Sequence, residues 1–176
     1  MTDRPVVIDS SFAIALLLDE AEAPVVERAL ASWTRDGRSR VVPSHFWLEV
    51  VNRLGRDPGS PGQRMLAAIH RLDTLGLETV EPGRPLLLHA IDRIERHGLT
   101  AYAAMYLVLA ESLDANLATF DRQLAAAAGP RAISFDDGHG LHETPAVYEH
   151  DVTWPSYKGA SAYLAKLRSE ALAERA

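Results

Sequence analysis

Five short apolar segments, each followed by a stretch with helical periodicity, constrain the fold of this 176-residue chain more than any other feature. The runs are continuously apolar, which is typical of parallel strands covered on both faces. Strands that alternate with helices predict an α/β fold with a central parallel sheet and right-handed crossovers. The predicted strands are 5–9, 40–43, 77–81, 115–120 and 131–135. The predicted helices are 11–19, 24–36, 44–54, 61–75, 85–97, 101–113 and 121–128.

The pattern changes after Phe135, so we expect the α/β domain to occupy residues 1–135. Residues 136–156 are polar and aperiodic, which predicts an arm or loop, and residues 157–176 predict an amphipathic helix. The apolar stripe of that helix must pack on this domain or on a second subunit. The arm contains five potential metal ligands at irregular spacing, which favours a solvated loop over an imidazole metal site: His139, His142, Glu143, His150 and Asp151.

Cysteine is absent from the sequence, which excludes disulfides, thiolate metal sites and thiol catalysis. A metal ion would therefore bind to oxygen or imidazole ligands. The net charge of −6 argues against a large, uniformly basic nucleic-acid surface but not against local basic patches. Neither a membrane-spanning apolar run nor a signal segment is evident, so we expect a cytoplasmic protein that does not enter the membrane.

Three carboxylates are predicted to converge at one edge of the sheet, where the carboxyl ends of parallel strands meet. Asp9 ends the first strand, Asp121 follows the fourth, and Glu49 lies in the helix after the second. Taken singly, each has an ordinary explanation as a helix cap or a solvated side chain. Together they bring like charges to one place, which is costly without a cation, and an all-oxygen cluster favours a hard cation such as Mg²⁺ or Mn²⁺.

The helix that begins after Thr100 opens at the same predicted edge. Its third position would accommodate a carboxylate that completes a capping box and meets the positive end of the helix dipole, but the residue there is Ala103. Ala103 therefore marks a vacant place in a ring of four carboxylates.

These features resemble the PIN domains, and among them the VapC-like ribonuclease toxins of type II toxin–antitoxin modules. The matching motifs are VIDSS (7–11), PSHFWLEVVNRL (43–54), LTAYAAMYLVLA (99–110) and LATFD (117–121). The resemblance covers residues 5 to 135 and leaves out the arm and the last helix. It implies a three-layer sandwich in which helices flank a parallel sheet of about five strands.

The resemblance also implies a set of site residues. Asp9, Glu49 and Asp121 match acidic positions that bind one or two divalent ions in the family. The supporting polar groups implied are Ser10, Asn52 and Thr119. The usual Tyr-Asp-Ala of the family is Tyr102-Ala103-Ala104 in this chain. This departure indicates either a substitution introduced to abolish a toxic activity or a native sequence with weakened or lost catalysis.

The implied function is that of a metal-dependent endoribonuclease, the toxin of a toxin–antitoxin pair, impaired here by Ala103. Asp9 and Asp121 would be direct ligands, and Glu49 would bind metal or orient the attacking water. The implied partners are RNA, a separate antitoxin protein and a second copy of the chain. Arginines that could border the crevice and contact RNA are Arg53, Arg56, Arg64 and Arg122. Trp33 and Trp47 could stack on bases, but their helical spacing favours the core.

Two other functions stay open. The first is a non-catalytic PIN-like module that only binds an antitoxin or RNA, which the vacancy at Ala103 favours. The second is a phosphoryl-transfer enzyme with Asp9 as the covalent acceptor. Haloacid-dehalogenase-like enzymes of that kind carry a second Asp two residues later, where this chain has Ser11.

Overall fold

A four-stranded parallel sheet forms the centre of the computed structural model, which describes residues 4–56 and 62–135. Its strands are β1 (Val6–Ile8), β2 (Arg40–Pro43), β3 (Leu77–Val80) and β4 (Asn116–Ala118). Their order across the sheet is β3-β2-β1-β4, and all neighbouring pairs are parallel. The two central strands are the most apolar and bury their valines completely, as the continuous apolar runs predict.

Helices flank this sheet, and the predicted α/β fold with a central parallel sheet is confirmed. They are α1 (Ser10–Leu17), α2 (Ala23–Arg35), α3 (His45–Gly55), α4 (Gly62–Asp73), α5 (Arg84–His97), α6 (Ala101–Ser112) and α7 (Arg122–Ala128). A short 3₁₀ turn, Gly129–Arg131, follows α7. Each of the seven predicted helices within the described ranges is present. In these ranges we find no helix with both the length and the apolar character needed to cross a bilayer.

The predicted fifth strand, 131–135, is wrong as a full strand. This segment contacts β4 through one isolated parallel bridge between Ala132 and Leu117, and Ile133 donates its N–H to the Leu117 carbonyl at 2.9 Å. Two features limit the pairing: β4 is only three residues long, and the 3₁₀ turn occupies the chain up to Arg131. The sheet therefore has four strands, and the bridge between Leu117 and Ala132 extends it at the β4 edge.

An aromatic cluster anchors the part of the core beneath the ends of β1 and β4. The Phe12 ring of α1 lies 5.5 Å from Trp33, 5.6 Å from Phe120 and 5.2 Å from Phe135, measured between ring centroids. Trp33 is 1% exposed, so the prediction that it belongs to the core is confirmed. Phe12 and Phe120 are each within three residues of a predicted site carboxylate, so this cluster connects core packing to site geometry.

The predicted arm at 136–156, the predicted helix at 157–176 and the arm's histidines and acids lie outside the described residues. Their boundaries and their packing stay predictions.

Thr100 caps α6 in the way the sequence predicts. Its Oγ1 accepts a hydrogen bond from the backbone N–H of Ala103 at 3.1 Å. Replacing Thr100 by Ala leaves that N–H without its partner, and we expect a loss of about 1 kcal/mol in the free energy of unfolding. Urea denaturation measures this loss. Thr100→Ser, which keeps the hydroxyl, should retain most of the stability, and equal stabilities of the Ala and Ser variants would contradict the capping role.

Candidate active site

The site lies where the strand order of the sheet changes direction. From β1 the chain continues to β2 and β3 on one side, whereas β4 pairs with β1 on the other side. In open parallel sheets such a point forms a crevice outside the carboxyl ends of the strands, where ligands bind. Asp9 directly follows β1, and Thr119 and Asp121 follow β4. Glu49 comes from α3, the helix after β2, as predicted.

Asp9 is buried at this point, with 5% of its surface exposed. Asp9 occupies the N-cap position of α1, but its side chain makes no capping hydrogen bond of good geometry, so capping does not account for its burial. Instead, Oδ2 accepts hydrogen bonds from the hydroxyls of Ser11 at 2.5 Å and Thr119 at 2.7 Å. Oδ1 has a long contact of 3.4 Å with the Ser10 hydroxyl, and the backbone N–H groups of Ser10 and Ser11 also lie close to the carboxylate. Burial raises the pKa of Asp9, and these hydroxyls oppose part of that rise.

The same two hydroxyls join the loops that leave β1 and β4. Ser11 Oγ accepts the N–H of Phe120 at 2.9 Å, and Thr119 Oγ1 accepts the N–H of Asp121 at 2.9 Å. The orientation of Asp9 is therefore fixed by groups from both sides of the crevice.

Asp121 serves as the N-cap of α7. Its Oδ1 accepts the N–H groups of Gln123 and Leu124 at 2.8 and 3.0 Å. The side chain is exposed, and within the described ranges its Oδ2 has no hydrogen-bond donor. Capping thus engages Oδ1 of Asp121 and leaves Oδ2 available to bind a ligand.

Glu49 is held by a buried phenol. The Tyr106 hydroxyl donates to Glu49 Oε2 at 2.5 Å, and Tyr106 is only 1% exposed. Burial raises the pKa of Glu49, the Tyr106 hydrogen bond lowers it, and the negative charge of Asp9 raises it further. Burial and the two carboxylates also raise the pKa of Tyr106, so its hydroxyl stays protonated and remains a donor.

His45 precedes Glu49 by one turn of α3. Its Nε2 is 3.9 Å from Glu49 Oε2, and its ring packs 4.9 Å from Tyr106 and 5.6 Å from Tyr102, between ring centroids. Burial lowers the pKa of His45, so the imidazole is neutral at pH 7 and adds no positive charge beside Glu49.

Ala103 lies between the two tyrosines that contact this pair. Tyr102 and Tyr106 are one turn apart on α6, and they contact His45 and Glu49. The first turn of α6 carries no acidic side chain. Helix α6 therefore opens beside the carboxylates, as predicted.

The donor set fits a hydrated hard cation better than one enclosed by protein ligands. In residues 4–56 and 62–135, no three His, Cys, Asp or Glu side chains lie close enough together to hold an ion directly. Within the described ranges, the basic group found beside one of these carboxylates is the His45 imidazole, next to Glu49. Mg²⁺ typically keeps several waters and uses one or two carboxylates, which matches the adjacent Asp9 and Glu49. A divalent charge there would offset the cost of two buried carboxylates.

The other predicted residues divide into two groups. Ser10 contacts Asp9 and Glu49, and Thr119 contacts Asp9, so both lie in the site. Asn52 is exposed on α3, and no contact within the described ranges connects it to the three carboxylates. The arginines predicted near the crevice are all exposed: Arg53, Arg56, Arg64 and Arg122. The Arg53 guanidinium lies 3.8 Å from the Glu20 carboxylate. Trp47 is half-buried and donates to Thr79 at 3.0 Å.

Three residues of the site were missed by sequence reasoning: Ser11, His45 and Tyr106. A signal existed for each, because Ser11 and His45 lie within one helical turn of a predicted ligand and Tyr106 lies one turn after Ala103. What the sequence lacked was evidence that α3 and α6 face each other at this point.

The raised pKa of Asp9 predicts a specific pH dependence of stability. The folded protein holds this proton more tightly than the unfolded chain does, so the contribution of Asp9 to stability is greatest at acidic pH. It is lost as the pH rises from the unfolded to the folded pKa. In EDTA, we therefore expect Asp9→Asn to raise the melting temperature at pH 7 and to change it little at pH 3. A variant that melts below the parent at pH 7 contradicts this account.

Comparison with known proteins identifies the family of the fold. The PIN-domain profile matches residues 6–130, and the chain therefore belongs to the PIN-domain family. No curated protein matches the sequence.

Several solved structures share the fold. A sarcin-ricin loop cleaving toxin, VapC20 of Mycobacterium tuberculosis, has 20% identity and a TM-score of 0.58, covering 69% of this chain and 94% of its own. A toxin–antitoxin complex from Klebsiella pneumoniae has 15% identity and a TM-score of 0.57, covering 73% and 96%. PAE2754 from Pyrobaculum aerophilum has 22% identity and a TM-score of 0.52, covering 72% and 86%.

Proposed function

We propose that this chain is a ribonuclease of the VapC-like toxin class. With an acidic residue at position 103, its activity would be metal-dependent hydrolysis of RNA phosphodiester bonds. The observation that carries the proposal is the convergence of Asp9 and Glu49. They are two carboxylates from different elements, both with raised pKa and both at the switch point of the sheet. The coupling between them is unfavourable without a cation, which makes the pair a candidate metal site.

Asp9 and Glu49 would hold Mg²⁺ or Mn²⁺ directly. Asp121 would contact the ion through one of its waters, because no three acidic or histidine side chains of the described ranges lie close enough together to bind an ion directly. Asp9 Oδ1 and Asp121 Oδ2 are the oxygens least engaged by protein donors. When bound, the ion supplies a more acidic water and positive charge for the scissile phosphate. Ser11 and Thr119 orient Asp9 through its Oδ2. Tyr106 keeps one oxygen of Glu49 fixed, which leaves the other to bind metal or to accept a proton from the attacking water.

Ala103 is proposed to impair this activity. A carboxylate at position 103 would lie beside the His45 and Glu49 pair and would add a fourth charge to the ligand set. Its absence lowers the negative charge available to a divalent ion and weakens binding, since affinity for hard cations follows ligand charge.

RNA and an antitoxin are the proposed partners, together with a second copy of the chain. Structural neighbours include a sarcin-ricin loop cleaving toxin and a toxin–antitoxin complex, and these descriptions belong to those proteins. The proposed RNA contacts are three exposed arginines on the elements that carry the site carboxylates. Arg53 lies on α3, Arg56 directly follows α3, and Arg122 begins α7. Residues 1–135 are proposed as the nuclease unit, with the arm and final helix as an appended segment.

Direct metal binding tests the ligand assignment. We expect Asp9→Asn to weaken Mn²⁺ binding by about tenfold or more in isothermal titration calorimetry, because it removes one of the charges that bind the ion. Asp36→Asn, a charge-matched change at the exposed end of α2, should leave the affinity unchanged. Equal Mn²⁺ affinities for the two variants would contradict the assignment.

A binding module without catalysis is the second candidate, and the observation that favours it is Ala103 itself. RNA affinity measured apart from cleavage separates the two functions. A module would bind RNA with the same affinity whether position 103 is Ala or Asp, and it would cleave RNA in neither form.

A further inference from the structure

His45 has the placement of a ligand beside Glu49. The two residues are four apart on α3, so their side chains lie on the same face, and His45 Nε2 is 3.9 Å from Glu49 Oε2. The distance is too long for a hydrogen bond.

The nitrogen that faces Glu49 is buried and has no hydrogen-bond partner within the described ranges. Buried polar atoms are normally satisfied, and an exception calls for an explanation such as an absent water or ion. The backbone of Tyr102 lies close enough to the same ring to raise its pKa, and this contact falls to Nδ1 because Nε2 has no partner. Metal-ligating histidines usually have this arrangement, in which one ring nitrogen donates to a carbonyl and the other points at the metal.

The ring also lies next to the vacant carboxylate position. It packs against Tyr102 and Tyr106, which flank Ala103 in sequence and lie on the side of α6 that contacts α3. Because His45 contacts the residues one before and three after position 103, we infer that an acidic side chain at 103 would begin near His45.

We propose that His45 Nε2, together with Glu49, binds a divalent transition-metal ion and supplies the donor that Ala103 lacks. The site takes ions that accept imidazole nitrogen, such as Co²⁺, Zn²⁺ and Mn²⁺, in preference to Mg²⁺, which requires oxygen ligands. This inference rests on the proposed function for the location of the site and adds a nitrogen ligand and a metal preference.

Calorimetric titration of the full chain with Co²⁺ and with Mg²⁺ tests the proposal. His45→Asn keeps a short donor for the Tyr102 carbonyl but removes Nε2. We expect it to weaken Co²⁺ binding by about tenfold or more and to leave Mg²⁺ binding within about twofold. His70→Asn is the control, because His70 forms a similar but exposed pair with Asp73 at 3.6 Å. Unchanged Co²⁺ affinity in His45→Asn, or a loss only in His70→Asn, overturns the proposal.

A second readout does not depend on how the variant folds. Zn²⁺ is diamagnetic, so in the unsubstituted chain a large shift of the His45 Nε2 nitrogen resonance reports a direct bond to the ion. We expect that shift for Nε2 of His45 and not for His70. An Nε2 resonance of His45 that does not move at saturating Zn²⁺ overturns the proposal.

Restoring the carboxylate separates this inference from the proposed function. In an Ala103→Asp background, we expect Co²⁺ binding to depend less on His45. If that background cleaves RNA while His45→Asn binds Co²⁺ as the parent does, only the inference fails. If Co²⁺ binding depends on His45 but no metal-dependent cleavage appears, only the proposed function fails.

Discussion

Replacing Ala103 by Asp is expected to raise the rate of Mg²⁺- or Mn²⁺-dependent RNA cleavage by about 100-fold or more. Loss of even an outer partner of a metal site commonly costs 10–100-fold in affinity or activity, and a direct ligand contributes at least as much. The position suits an acidic side chain, because it lies in the first turn of α6 and its N–H already bonds to Thr100. A carboxylate there also meets the positive end of the helix dipole. Fluorogenic single-stranded RNA gives the rate.

Ala101→Asp is the matched control for this change. It adds the same charge to the same turn of α6, at an exposed position. Any gain that comes only from helix stability or net charge would appear in both variants. Equal activities of the two variants would contradict the role of position 103 as a ligand site.

The largest expected loss of stability comes from Phe12→Ala, at about 3–5 kcal/mol in the free energy of unfolding. Phe12 is 1% exposed and stacks with Trp33 and Phe120, so the substitution leaves a cavity in the aromatic cluster. Such a loss is a large share of the stability of a typical domain. Urea denaturation at pH 7 measures it.

Leu48→Ala on α3 is the control for this change, because Leu48 is 72% exposed. This substitution should lower the free energy of unfolding by less than about 0.5 kcal/mol. A Phe12→Ala loss as small as that of Leu48→Ala would contradict the packing. Phe120 adjoins Thr119, the donor to Asp9, so we also expect Phe12→Ala to weaken Mn²⁺ binding.

The order of elements and the place of the carboxylates could be predicted because both follow from local pattern and one rule of topology. Asp9 and Asp121 follow strands β1 and β4, and the carboxyl ends of parallel strands meet at one edge. The separate roles of Asp9 and Asp121 at that edge could not be predicted. Asp121 caps α7 with one oxygen, whereas Asp9 does not cap α1, although both precede a helix. Only the contacts of the folded chain separate these two cases.

Contacts between helices could not be predicted from the sequence for a related reason. The Tyr106 hydrogen bond to Glu49 joins residues 57 apart, and nothing in the periodicity of either helix indicates their partner. The length of the fifth strand depended in the same way on β4, which offers only three residues for pairing.

Cleavage of single-stranded RNA by the Ala103→Asp variant, with and without Asp9→Asn, tests the central claim most directly. The claim is that the carboxylates at the β1 and β4 edge bind the ion that drives hydrolysis. We expect cleavage with Mg²⁺ or Mn²⁺ and none in EDTA, and we expect a variant carrying both Ala103→Asp and Asp9→Asn to be inactive while still folded by circular dichroism. Cleavage that persists in EDTA or in the folded double variant would contradict the claim, as would a lack of cleavage by Ala103→Asp itself.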